Sequence, residues 1–143
     1  MFKNLKFFLG VVLVMLILTG CGKEKTVLEF KPDGNMIAYT QKSYTVKANQ
    51  PFVIQLNNVA TVPVMVHNVV LLKPGTDVAS IGIKAQSESD YLPDDPNIIS
   101  ATALAKPGEV VSVEVKGLEP GKYPFVCTYP GHYMMMQGVL IVE

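Results

Sequence analysis

The chain has no arginine, two histidines and two cysteines in 143 residues. Each scarcity constrains the reading. Without arginine, and with lysines scattered rather than clustered, there is no basic stripe of the kind that phosphate backbones require, which argues against nucleic-acid binding. No apolar run reaches the about 20 residues of a comfortable membrane span. The cysteines are Cys21 and Cys127, and their positions set them apart.

The N-terminus has Lys3 and Lys6, then the apolar run Phe7–Leu18, then Thr19-Gly20-Cys21. A basic start followed by a short apolar run is a secretory signal. Small residues before a cysteine resemble the lipobox of bacterial lipoproteins, whose cysteine is lipidated and becomes the new N-terminus. On this reading 1–20 is a signal peptide, 21–26 a lipidated N-terminus and tether, and 27–143 a single domain. Stable anchoring takes more than one acyl chain, and a lipoprotein cysteine carries several. The protein is therefore expected outside the cytoplasm, lipid-anchored in the cell envelope and facing the periplasm or the outer side of the cytoplasmic membrane. Removing the signal leaves ten lysines against twelve acids, a slightly acidic domain. With Cys21 lipidated, Cys127 becomes a leftover thiol in an exported protein, which calls for an explanation.

After the tether, short β-type runs alternate with turns. Candidate strands are 27–30, 36–40, 44–48, 52–56, 69–72, 110–115, 123–127 and 139–142. Phe52, Ile54 and Leu56 share one face, as do Val111, Val113 and Val115. Strands at this spacing predict an all-β fold, a Greek-key sandwich or barrel of seven or eight strands. Residues 76–104 interrupt the pattern. Residues 77–86 are expected to form a short helix capped by Thr76 or Asp77. The polar, proline-rich remainder is expected to lie outside the sandwich.

The chemistry gathers near the C-terminus, in Cys127-Thr128-Tyr129-Pro130-Gly131-His132-Tyr133-Met134-Met135-Met136-Gln137-Gly138. Pro130-Gly131 favours a sharp reversal, so His132 and Met136 can curl back toward Cys127. The other histidine, His67, lies at the start of a predicted strand. Two imidazoles, a thiolate and a weak axial methionine match the ligand set of electron-transfer copper. Taken singly, these residues have blander readings: a structural histidine, a small buried cysteine, methionines as gap filler.

The loop spacing, Cys127, four residues, His132, three residues, Met136, resembles that of azurin-type cupredoxins, the blue copper proteins. So does its wording, Cys-Thr-aromatic-Pro-Gly-His followed by Met-x-Gly. Upstream, Met65-Val66-His67-Asn68 is similar to the azurin stretch Met-Gly-His-Asn, and Asp90–Asp95 to the segment after its helix. The likeness runs from about Met36 to Val142, and the lipid-anchored arrangement resembles that of the auracyanins. The resemblance implies one type 1 copper ion held by His67, Cys127 and His132, with Met136 as a long axial ligand and the Val66 backbone carbonyl as a weak opposite contact. Valine 66 stands where the family has glycine. Asn68 is implied to tie across to the loop near Thr128. Met65, Met134, Met135 and Met36 would surround the His132 edge as a docking patch.

The function implied is single-electron shuttling by Cu(II)/Cu(I) cycling, in a protein that is not an enzyme and is expected to be monomeric. Partners would be redox proteins such as cytochromes, quinol-oxidising complexes, terminal oxidases or reductases. A dinuclear copper site would need a second cysteine in the loop, and a multicopper oxidase several more histidines. The alternative is a copper-binding or copper-delivery lipoprotein, although carriers of that kind tend to use exposed, exchangeable sites.

Overall fold

The computed structural model describes residues 25–143. The expected signal peptide, Cys21 and most of the expected tether lie outside the described residues. Among those described, no helix is long and apolar enough to cross a membrane.

Eight strands form two sheets. They are β1 Thr26–Phe30, β2 Ser43–Val46, β3 Phe52–Asn57, β4 Val70–Leu72, β5 Ile98–Ala101, β6 Val110–Val115, β7 Gly121–Val126 and β8 Gln137–Val142, with a helix α1 at Val78–Ala85 between β4 and β5. The smaller sheet has the order β1-β3-β6 and the larger β2-β8-β7-β4-β5. β1 runs parallel to β3, and β2 parallel to β8, while the other pairings are antiparallel.

Strand periodicity explains how one strand serves two cores. Leu71 of β4 points between the sheets, into a core with Phe30, Ile54, Leu56, Phe125 and Leu140. Its neighbours Val70 and Leu72 point the other way and meet Ile81 of α1 and Val126 of β7. Successive side chains on a strand face opposite sides, so a strand covered on both sides is apolar throughout. The helix thus closes the outer face of the larger sheet. Asp77 caps α1 by accepting from Ala79 N at 3.1 Å. Lys84 anchors the helix to the buried side chain of Asp95 at 2.6 Å.

Two expectations need correction. Residues 36–40 form no strand. Tyr39 pairs with Pro32 in an isolated bridge, flanked by Asp33 N donating to Ala38 O and Thr40 N donating to Lys31 O, each at 2.9 Å, and a turn in which Met36 N donates to Asp33 O ends the pairing there. Residues 98–101, read as part of the outlying excursion, form β5 and pair with β4. All four of its residues are half-buried, so no alternation marks it.

Candidate metal centre

β7 ends at Val126, and Cys127 follows with its side chain fully buried. Three successive reversals bring the chain back. The first is a β-turn closed by His132 N donating to Tyr129 O at 3.0 Å. Pro130 supplies the fixed φ of its second position, and Gly131, at φ 79°, the left-handed third, which defines a type II turn. Next, the amides of Met135 and Met136 both donate to His132 O, at 3.1 and 2.8 Å. Finally, Cys127 N donates to Met136 O at 2.9 Å and closes the loop. Met136 is itself fully buried.

His67 arrives from another part of the chain, ahead of β4. Its backbone is bonded on both sides to Ala105, N to O at 3.1 Å and O to N at 2.7 Å. Asn58 secures this junction. Its buried amide donates to Met65 O and to Ala105 O, each at 2.8 Å. Nothing local marks this role beyond a polar residue directly after a largely apolar strand.

The donor atoms converge. Cys127 Sγ lies 3.9 Å from His67 Nδ1 and 3.6 Å from His132 Nδ1. All three ligand atoms fall within 4.8 Å of one another, on buried residues. His67 is completely enclosed and His132 retains 4 % exposure, so of the two rings it is His132 that meets solvent. The other nitrogen of His67, Nε2, is buried without a hydrogen-bond partner among the described residues.

Burial, reinforced by the charge His132 would carry, lowers the His67 pKa to about 4. His132 is lowered by burial as well. Both rings are therefore neutral near pH 7, each with a lone pair free for a metal. Burial pushes the Cys127 thiol up to about 11. That value belongs to a pocket without a cation; a bound metal reverses it, because a coordinating thiol is deprotonated outright. Two neutral imidazoles and one latent thiolate, dry and closely spaced, fit a soft, redox-active ion rather than calcium or magnesium.

The surrounding residues fix the loop. Asn68 Nδ2 donates to Thr128 Oγ1, and Asn68 Oδ1 accepts from Thr128 N. Thr128 Oγ1 in turn donates to the carbonyl of Tyr91 at 2.6 Å. Tyr91 adopts φ 55°, a left-handed conformation that costs a non-glycine residue about 1 kcal/mol. Tyr39 donates to Asn68 O at 2.5 Å. The ring of Tyr129 stands 5.0 Å from that of His132. Tyr39, Tyr91 and Tyr129 were not singled out from the sequence.

The four methionines assigned to a surface patch divide. Met36, Met134 and Met135 are 59 %, 66 % and 64 % exposed, whereas Met65 is buried and lies beneath the surface rather than on it. Val62 and Val64, not anticipated, are exposed nearby in sequence.

Residues 22–143 match the family of copper binding proteins described as the plastocyanin/azurin family. Auracyanin-A of Chloroflexus aurantiacus is 35 % identical over 127 residues, 85 % of this chain and 77 % of that protein. An azurin of Pseudomonas chlororaphis is 33 % identical over 118 residues, 76 % of this chain and 92 % of the azurin. The solved structure of auracyanin A, a "blue" copper protein from the same Chloroflexus, superposes with a TM-score of 0.77 at 34 % identity, over 84 % of this chain and all of that one. The cluster of His67, Cys127 and His132 is consistent with one type 1 copper.

Proposed function

The chain belongs to the plastocyanin/azurin family of copper binding proteins, and from that premise we propose that it shuttles single electrons between redox proteins of the cell envelope, tethered to a membrane by lipid on Cys21. The observation that carries the reading is the buried convergence of one thiol and two neutral imidazoles within 4.8 Å. Copper bound there supplies a one-electron Cu(II)/Cu(I) couple.

The protein's own residues do the rest. Cys127 would release its proton to solvent on metal binding and so become the thiolate donor. His67, bonded to Ala105 through its backbone, and His132, fixed by the type II turn, hold their Nδ1 atoms toward that sulfur. Met136 would offer its thioether as a further, weaker donor, a role supported by its burial and by backbone bonds to both Cys127 and His132. The Val66 carbonyl, next to His67 in the chain, would offer a weak further contact. Held by strands and hydrogen bonds, these groups need move little between oxidation states, which favours fast transfer. His132 provides the edge through which an electron passes, and Met134, Met135 and Met36 provide an apolar face for a partner. Burial of all three donors favours an electron carrier over a copper-delivery protein, and no nucleophile or acid–base pair enters this scheme.

The test is spectroscopic. The chain from Gly22 onward, loaded with Cu(II), is expected to show an intense visible band that ascorbate bleaches and reoxidation restores. Cys127→Ser is expected to abolish the band. A colourless protein, or colour that survives C127S, would sink the proposal. The anchor is tested separately: Cys21→Ser should move the protein from the membrane fraction to the soluble one.

A further inference from the structure

The ring of Tyr133 rests on the one position of α1 that lacks a side chain. A Cβ placed on Gly82 would stand 2.6 Å from both Cβ and Cδ1 of Tyr133, and closer still to Cγ. Carbon atoms in contact rest at about 3.5–4.0 Å, so an added methyl demands about 1–2 Å of separation. A rotamer change cannot supply it, because the Cβ of Tyr133 is bonded to the backbone. Either the helix or the loop must move.

The helix is anchored independently of the loop. Ile81 and Ala85 are buried at 1 % and 0 % exposure. Asp77 caps its start, and Lys84 near its end holds Asp95. The loop has fewer anchors. Met134 and Met135 project into solvent, so within 133–135 the packing falls to Tyr133, which reaches the core formed by Val70, Leu72, Ile81 and Val126. Gln137 Nε2 steadies the same stretch from its backbone side, donating to Tyr133 O at 3.1 Å and Met134 O at 3.2 Å. Glycine is also a poor helix former, so its place inside a helix of eight residues marks a close approach rather than a helical preference.

We infer that Gly82 and Tyr133 form a helix-to-loop seat that positions His132, Tyr133 acting as a positioning residue one peptide away from a copper ligand. This rests on the copper reading proposed above. α1 is then more than a cover for the sheet: it sets the height of the ligand loop.

The test uses the full-length chain, with and without copper, in four variants. Tyr133→Phe keeps the ring and is expected to match the parent. Tyr133→Ser and Gly82→Ala are each expected to shift the visible band and the reduction potential, and to raise the copper-release rate by about tenfold, the low end for residues that orient ligands. In the copper-free chain, both should accelerate hydrogen exchange at the amides of Met135 and Met136. The double variant should resemble Y133S alone, because without the ring the added methyl meets nothing; contacting residues are not additive. Parent-like band, potential and exchange in G82A and Y133S would overturn the inference, as would a Y133F variant as perturbed as Y133S. If G82A does not fold, the contrast between Y133F and Y133S decides alone. Should the parent chain take up no copper, the functional proposal fails, while exchange in the copper-free chain still reports whether the seat holds the loop.

Discussion

Asn68 and Thr128, 60 residues apart in the chain, grip each other at two points: the Asn68 amide donates to Thr128 Oγ1 at 2.8 Å, and its oxygen accepts from Thr128 N at 2.9 Å. The pair joins the residue after His67 to the residue after Cys127, so one side chain sets the spacing of two ligand segments. Asn68→Ala leaves the buried Thr128 N–H without its acceptor. Such an orphaned group costs about 1–3 kcal/mol. The expected outcome is a denaturation midpoint lowered to that extent, together with a shifted reduction potential in the copper-loaded protein. An unchanged potential would show that the tie serves stability alone.

The site was legible in the sequence to the extent that it is local. Cys127, His132 and Met136 share a short loop whose Pro-Gly turn can be read directly, and His67 followed from being the one remaining histidine. What holds them was not legible. Asn58, Tyr39 and Tyr91 act through contacts between segments distant in sequence, and no local pattern distinguishes a tyrosine that donates to Asn68 O from one that merely fills a core. The fold divides in the same way. β3 and α1 carry their own periodicity and cap. β5 owes its pairing to β4, and residues 36–40, apolar enough for a strand, reach no further than a single bridge because the chain turns at Asp33–Met36.

Acid should destabilise the copper-free protein before its carboxylates protonate. Burial lowers the His67 pKa to about 4, against about 6.5 in the unfolded chain. Between these values the unfolded state binds more protons than the folded one, so stability rises with pH across the window and falls as pH drops through it. His132 acts in the same direction. Asp95 and Glu29 are lowered from ordinary carboxylate values at the bottom of this window, so their contribution is lost only near and below its lower end. Cys127, raised to about 11, remains a neutral thiol throughout. Urea midpoints of the copper-free protein are expected to decline between pH 7 and pH 5, and less steeply in His67→Gln. A flat profile would contradict the neutral, buried state assigned to these rings.

Met136→Leu separates ligation from packing. The two side chains are similar in volume, so the swap should cost less than about 1.5 kcal/mol even at this fully buried position. What disappears is the thioether donor. The more highly charged Cu(II) gains more from an extra donor than Cu(I) does, so its loss disfavours the oxidised form. A redox titration is expected to give a higher reduction potential, with copper still bound and the protein still coloured. An unchanged potential would mean that Met136 packs beside the metal without donating to it.

Met134 and Met135 offer the clearest division between docking and electronics. Both are largely exposed, and neither side chain appears among the hydrogen bonds that shape the loop. Exposed substitutions of this kind usually alter stability by no more than about 0.5 kcal/mol. If electrons leave through the His132 edge, as proposed, self-exchange between two copies of the chain needs those edges to meet, so its rate tests this face without any assumption about the natural partner. The double change Met134→Lys and Met135→Lys places like charges on both sides of that encounter, and like charges across an interface slow association in a salt-dependent way. Self-exchange measured by NMR line broadening is expected to fall by about tenfold or more and to recover partly as salt screens the lysines. The visible band and the potential should not move. A self-exchange rate equal to that of the parent would show that electrons leave by another surface, and the apolar face around His132 would lose its assigned role.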